Sequence, residues 1–315
     1  MLFRFSNIIP REHGAWAVLL VPYLTGTFAC DKPGIPSLLL LISVISLYLL
    51  RVCGEFYLSG NVKKKKAYPN IKSFYLYSIA IFTVSLVTTI LLLFYFQLWK
   101  LLYIGLPAFL LFVRYYVLLL KNNKDRMSLQ FTAILGLTLI APASYYTVSE
   151  KWGYDPLLLW IFNAIFFQLG FLYVHNRISL QKNQKKIVGL WEKLLLTKNL
   201  IAVWCFSLFI FYLLFYSGLI KPIFFILLLP LTIHLIFGLY FDKRELNIKH
   251  MGRYLLGQGI FFLVILIVLF RIEAPCSNSP RTKQVQGKPQ GSIRTEYLSP
   301  YPPMYGSINT SKKML

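Results

Sequence analysis

The chain has 315 residues, of which 57% are hydrophobic and only 14% are charged. A soluble domain carries about a quarter charged residues, and a bilayer span needs about 20 mostly apolar ones, so an ordinary soluble protein is excluded. The net charge of +22 does not indicate a nucleic-acid partner, because Lys and Arg gather in the cytoplasmic loops of membrane proteins. We therefore predict an all-α, polytopic membrane helical bundle.

Nine apolar segments predict about nine transmembrane helices. In chain order they cover residues 14–30, 36–56, 73–96, 99–120, 129–148, 156–175, 199–219, 222–241 and 254–271. The polytopic membrane domain accordingly covers 1–271. The tail, 272–315, is rich in Pro, Ser and Gly and cannot bury enough apolar surface to fold alone, so we predict that it is disordered. A count of eight spans is the alternative.

The basic residues alternate between the predicted loops. The N-terminal segment and the loops after even-numbered spans hold 21 Lys and Arg, whereas the intervening loops hold four. The positive-inside rule then assigns the N-terminus and the even-numbered loops to the cytoplasm. The four cysteines show no C-x-x-C and no metal-like spacing, so we expect reduced, structural thiols. They are Cys30, Cys53, Cys205 and Cys276.

Three ionisable residues, Arg11, Glu12 and His13, stand directly before the first apolar run in "PREHGAWAVLLVPYLTG". An anchor and a helix cap explain them without any site. Pro10 suits the first turn of a helix, and Glu12 suits its positive N-terminus. In the alternative reading Arg11 holds an anionic ligand, and Glu12 and His13 orient it or move protons.

That stretch resembles the N-terminal signature of the YwiC-like family of bacterial integral membrane proteins. The residues that carry the resemblance are Pro10, Arg11, Glu12, His13, Gly14, Ala15, Trp16, Ala17, Pro22 and Gly26. The hydropathy layout suggests that the likeness extends to about residue 271. It implies a multi-pass protein of the bacterial inner membrane with membrane lipids as partners, and it implies no particular activity.

The layout also resembles, more distantly, the UbiA-type prenyltransferases, which have nine helices and Asp-rich motifs in the cytoplasmic loops after helices two and six. Two magnesium ions held there bind an isoprenyl diphosphate, because magnesium prefers oxygen ligands. Here the aspartates are absent. The first loop offers Glu55, with Arg51 four residues earlier, and the second places Arg177, Gln181 and Lys185 at the motif's intervals. We therefore expect neither magnesium, nor another metal, nor another cofactor.

Polar residues in the cytoplasmic half of the spans predict a pocket that opens to the cytoplasm, because polar groups are costly to bury in lipid. Lys and Arg hold anionic groups directly, without metal. We predict that an isoprenoid or lipid-like ligand with an anionic head binds to Arg11, Arg51, Arg177, Gln168 and His175. The candidate catalytic residues are Glu12, His13 and Glu55. Topology and interhelical hydrogen bonding are the competing explanations of the same residues.

Two other functions remain open at this point. In a small-solute transporter or channel the same polar residues would line a permeation path, which requires access from both sides. Few charges fall in the predicted exterior loops, chiefly Asp31, Glu150 and Asp155, and this disfavours transport of ions. The third hypothesis is a structural membrane subunit with no chemistry. The sequence contains no H-E-x-x-H motif, P-loop or nucleophile elbow, and enzyme activity stays open.

Overall fold

The computed structural model describes residues 13–30, 33–58, 71–121, 126–183, 190–230, 232–233, 236 and 248–273, and within them it is helical, with no strand. The α-helices are α1 His13–Phe28, α2 Ile35–Leu58, α3 Ile71–Ile90, α4 Leu101–Leu120, α5 Arg126–Thr138, α6 Ile140–Ser149, α7 Tyr154–Asn183, α8 Leu190–Tyr216 and α9 Ile248–Glu273. A π-helical turn, Leu91–Tyr95, follows α3, and a 3-10 helix, Pro222–Leu228, follows α8. The predicted all-helical bundle is confirmed.

Seven stretches of the described chain are helical, long and apolar enough to cross a membrane. They are α2, α3 with its π-helical turn, α4, α5 with α6, α7, α8 and α9. The shorter apolar helix α1 corresponds to the first predicted span. The predicted eighth span, 222–241, begins as a 3-10 helix, and most of its second half lies outside the described residues. The predicted tail lies almost wholly outside them, and its separation from the membrane domain stays a prediction.

The fifth span is broken at Leu139, which separates α5 from α6. Pro142 has no N–H to offer to the carbonyl of Thr138, so the helix cannot continue regularly through this turn. Leu139 N bonds three residues back instead of four, which frees Leu135 O. That oxygen accepts bonds from Trp160 Nε1 of α7 at 3.3 Å and from Thr138 Oγ1 at 3.1 Å. This freed carbonyl is therefore satisfied, as it must be in an apolar setting.

The most buried span is α7, which packs through aromatic contacts at the centre of the bundle. Phe162 is 1% exposed. Its ring lies 5.1 Å from that of Phe211 on α8 and 5.5 Å from that of Phe224 in the 3-10 helix, measured between centroids. Such pairs add attraction beyond the area that they bury. Because lipid tails are as apolar as these side chains, close packing must hold the helices together.

Helices α1 and α6 approach each other closely at Gly26. A Cβ atom at this position would overlap Ala141 O and the hydroxyl of Ser144, and would lie 2.9 Å from Tyr145 N. Small residues allow such backbone contact between membrane helices. Gly26 lies within a helix and not in a turn. The close contact between α1 and α6 therefore explains why a glycine is required here.

The end of α9 lies beside the end of α1. Arg271 Nε donates to Phe28 O at 3.0 Å, across 243 positions of sequence. The first and the last described helices are thus neighbours, and they also pack against each other along their length.

The cysteines differ from the expectation in one place. Cys53 and Cys205 are free, as predicted. Cys30, two residues beyond α1, is disulfide-bonded, so the prediction of a reduced thiol is wrong there. Spacing along the chain does not predict such a bond, because the bond depends on which segments the fold brings together. Cys276 lies outside the described residues.

Candidate functional site

The C-terminal end of α2 carries an ion pair. Arg51 and Glu55 are four residues apart and therefore face the same side of the helix. Arg51 Nε donates to Glu55 Oε1 at 2.8 Å. The two side chains are 18% and 30% exposed. Both side chains are thus partly buried, and both remain accessible to a ligand.

Tyr115 of α4 completes a hydrogen-bonded triangle with this pair. Its hydroxyl accepts from an Nη atom of Arg51 at 2.9 Å and donates to Glu55 Oε1 at 2.6 Å. The guanidinium carbon of Arg51 also lies 4.3 Å from the centroid of the Tyr115 ring. That distance is within the range of a cation–π contact. The arginine is therefore held from two sides, by a carboxylate of its own helix and by a tyrosine of α4.

Tyr116 joins the same helices through the backbone. Its hydroxyl donates to Arg51 O at 3.1 Å. Gly54 makes this approach feasible, because a Cβ there would lie 3.0 Å from Tyr116 Cζ and would overlap the hydroxyl. We refer to Arg51, Glu55, Tyr115 and Tyr116 as the Arg51 cluster.

The chemistry of the Arg51 cluster follows from its donors and acceptors. A guanidinium has five N–H groups, and the contacts described above use two of them. The remaining donors suit an anion such as a phosphate or carboxylate. The 2.6 Å bond between Tyr115 and Glu55 has the length of a charge-assisted hydrogen bond. The cluster can therefore bind an anionic group.

All of the Arg51 cluster lies in the first half of the chain. Residues 9–145 match the YwiC-like protein family. The expected likeness is confirmed over this region, which we call the YwiC-like region. It covers α1 to α5 and part of α6, and it contains the whole cluster. No curated protein and no solved structure matches the chain. The more distant resemblance to UbiA-type prenyltransferases stays a prediction.

Gln168 lies on α7, beyond the YwiC-like region, and is buried at 6% exposure. Its Nε2 donates to Phe131 O of α5 at 3.0 Å. Its Oε1 is also buried and has no hydrogen-bond partner among the described residues. The Nε2 end of the Gln168 amide thus links α7 to α5. The Oε1 end is a buried hydrogen-bond acceptor.

His175 and Arg177 stand further along α7. His175 is exposed, and its ring lies 6.1 Å from that of Phe171. Arg177, two residues beyond His175, is partly buried. The hydrogen bond of Gln168 and the ring contact of His175 are made within α5 and α7, so neither extends to the Arg51 cluster. The binding roles of these α7 residues stay predictions.

The opening motif is described only in part. Arg11 and Glu12 lie outside the described residues. His13 is the first residue of α1, but its side chain is not described. Their predicted roles therefore stay predictions. Among the residues that the structure describes, no group of three or more His, Cys, Asp or Glu is placed to hold a metal ion.

Sequence reasoning missed Tyr115 and Tyr116. The signal that was present is the pair of adjacent tyrosines near the end of the predicted fourth span, next to Arg114. A tyrosine hydroxyl needs a partner when it is buried. If the two tyrosines are interpreted only as interfacial aromatics, each hydroxyl is assumed to face water. The need for a partner within the protein is then overlooked.

Proposed function

We propose that this multi-pass membrane protein binds an isoprenoid or lipid-like ligand by its anionic head, and that Arg51 is the residue that holds the head. The observation that carries the proposal is the fixed guanidinium, bonded to Glu55 at 2.8 Å and to Tyr115 at 2.9 Å while still 18% exposed. A cation that is already positioned loses little side-chain freedom when a ligand binds.

The Arg51 cluster is balanced in charge before a ligand binds. Glu55 neutralises Arg51 in the absence of a ligand, which avoids the cost of an unpaired, partly buried cation. An anionic head can share the guanidinium through its other N–H groups. The site needs no metal in this proposal, and we expect magnesium to be dispensable.

We also propose that the N-terminus and the Arg51 end of α2 face the cytoplasm of a bacterial inner membrane. The distribution of 21 basic residues against four supports this orientation. The disulfide bond at Cys30, at the opposite end of α1 from its N-terminus, supports it independently. Disulfides persist in oxidising compartments and are rare in the cytoplasm.

Binding of radiolabelled geranylgeranyl diphosphate to the detergent-purified full chain tests the proposal. We expect saturable binding that survives EDTA in the wild type and is lost in Arg51→Gln. Arg114→Gln is the matched control, because Arg114 is an exposed cation on α4 next to Tyr115. Loss of the Arg114 charge should leave binding of the diphosphate nearly unchanged.

Absence of binding in the wild type would reject the isoprenyl diphosphate as the ligand. An equal loss in Arg51→Gln and Arg114→Gln would show that the probe responds to general positive charge. A thermal unfolding scan of both variants distinguishes loss of the site from loss of the fold.

A second candidate function is transport of a small solute. The break of the fifth span at Leu139 favours it, because discontinuous helices form the substrate sites of many transporters. Uptake of candidate solutes into proteoliposomes tests this alternative. A transporter should move its solute in the Arg51→Gln variant unless the Arg51 cluster lies on its path.

A further inference from the structure

Asn163 is a fully buried amide at the contact between α7 and α1. Its side chain is 0% exposed, as is that of Thr25. Asn163 Nδ2 donates to Leu159 O at 2.8 Å and to Thr25 Oγ1 at 3.0 Å. The Thr25 hydroxyl donates in turn to Pro22 O at 2.8 Å. Three hydrogen bonds therefore fix the Asn163 amide against the turn of α1 that contains Pro22.

The orientation of the amide follows from these partners. Leu159 O and Pro22 O can only accept hydrogen bonds, so the Thr25 hydrogen is committed to Pro22 O and the Asn163 nitrogen must face Leu159 O. Turning the amide over would place two acceptors against each other. The oxygen, Asn163 Oδ1, is consequently the free end. It is buried and accepts no hydrogen bond from any residue that the structure describes.

The position of Asn163 makes an unpaired oxygen costly. It lies nine residues after Tyr154, the first residue of α7, which is about 14 Å along the helix at 1.5 Å per residue. That is close to half the thickness of a hydrocarbon core of about 30 Å. A polar atom without a partner is expensive in such surroundings.

We propose that Asn163 Oδ1 binds a neutral hydroxyl group inside the bundle. A carbonyl oxygen repels an anion, so the ligand differs in class from the anionic head proposed for Arg51. A primary amine would carry a positive charge at neutral pH and would be costly to bury at this depth. The hydroxyl belongs either to a bound water or to the alcohol head of a lipid, since both donate an O–H group.

The site is independent of the proposed function. Asn163 bonds to Leu159 of α7 and to Thr25 of α1, whereas Arg51 bonds to Glu55 of α2 and to Tyr115 of α4. A failure of diphosphate binding leaves this site untouched, and the reverse also holds.

A structure of the full chain, grown in a lipid phase and resolved well enough to show ordered water, tests the proposal. We expect density at hydrogen-bonding distance from Asn163 Oδ1, about 2.7–3.2 Å. A compact peak indicates water, and an elongated one indicates a lipid alcohol. The density should disappear in Asn163→Leu and persist in Gln168→Leu, which removes a different amide of α7.

A solution measurement separates the two sources without a crystal. We expect geranylgeraniol to raise the Tm of the wild type, and its methyl ether to leave the Tm unchanged, if the site holds a lipid alcohol. Asn163→Leu should abolish that difference. If water occupies the site, neither compound changes the Tm and the compact peak remains.

Three results would overturn the proposal. One is the absence of density near Oδ1 in the wild type. Another is density that remains in Asn163→Leu. The third is an Asn163 oxygen that accepts its bond from a group of the protein itself.

Discussion

Arg51 and Tyr115 contact each other in two ways. The guanidinium donates to the Tyr115 hydroxyl at 2.9 Å, and its carbon lies 4.3 Å from the centroid of the same ring. The hydroxyl then donates onward to Glu55. One tyrosine thus positions the cation with its ring and orients the carboxylate with its oxygen.

Tyr115→Phe separates these two effects. The ring and its contact with Arg51 remain, while both hydrogen bonds of the hydroxyl are lost. We expect the free energy of unfolding to fall by about 1–3 kcal/mol, because Glu55 and Arg51 each lose a partly buried partner. Unfolding in detergent, followed by circular dichroism, measures the change. Arg114→Gln, at an exposed position, should stay within about 0.5 kcal/mol of the wild type. Equal stability of Tyr115→Phe and the wild type would contradict the triangle.

Gly54→Ala should disturb the Arg51 cluster without removing any polar group. The new methyl would meet the Tyr116 ring at 3.0 Å, so the ring must move and the bond from Tyr116 to Arg51 O should weaken. A destabilisation of about 1–3 kcal/mol is expected from overpacking. Gly105→Ala is the control, because nothing lies within 4 Å of a Cβ at that position of α4. There the gain in helix propensity should make the change neutral or mildly stabilising. The same response of both variants would show that Tyr116 adapts freely.

Gly26→Ala should push α1 away from α6. The methyl would overlap Ala141 O, a backbone atom that cannot turn aside as a flexible side chain can. We therefore expect a larger loss than at Gly54, of about 3 kcal/mol or more. Gly170→Ala on α7 has open space around its Cβ and serves as the control. Thermal unfolding and yield of folded protein after purification report the difference, and an unchanged Tm in Gly26→Ala would argue against the close approach.

Alkylation before and after reduction tests the state of the thiols. Protein denatured in SDS without a reductant should be alkylated at Cys53 and Cys205 and not at Cys30. Adding a reductant first should expose Cys30 to the reagent. Peptide mass spectrometry locates the label, and Cys30→Ser provides the blank for that peptide. Full alkylation of Cys30 without a reductant would rule out the disulfide and remove one support for the proposed orientation.

The lengths of the apolar segments predicted most of the helices. Within a bilayer each backbone group must bond inside its own helix, so length and composition nearly determine the structure of a span. The break at Leu139 illustrates where this reasoning ends. Pro142 was visible in the sequence, but whether it bends a helix or divides it depends on partners such as Trp160, which comes from another helix.

The candidate site was predictable in part. The spacing of four between Arg51 and Glu55 predicted that they share a face, and they form an ion pair. Their contact with Tyr115 spans 60 to 64 positions of sequence, and no local pattern specifies which helices become neighbours. The same limit applies to Asn163 and Thr25, which are 138 positions apart.

The bond from Arg271 to Phe28 has a consequence for biogenesis. The ribosome makes α1 before α9, so Phe28 must wait for 243 further residues before this partner exists. At about 5–20 residues per second the wait is on the order of tens of seconds. During that time the face of α1 that α9 later covers needs another neighbour, either lipid or the insertion machinery. In a chain truncated before α9, that face of α1 would lack its native neighbour permanently.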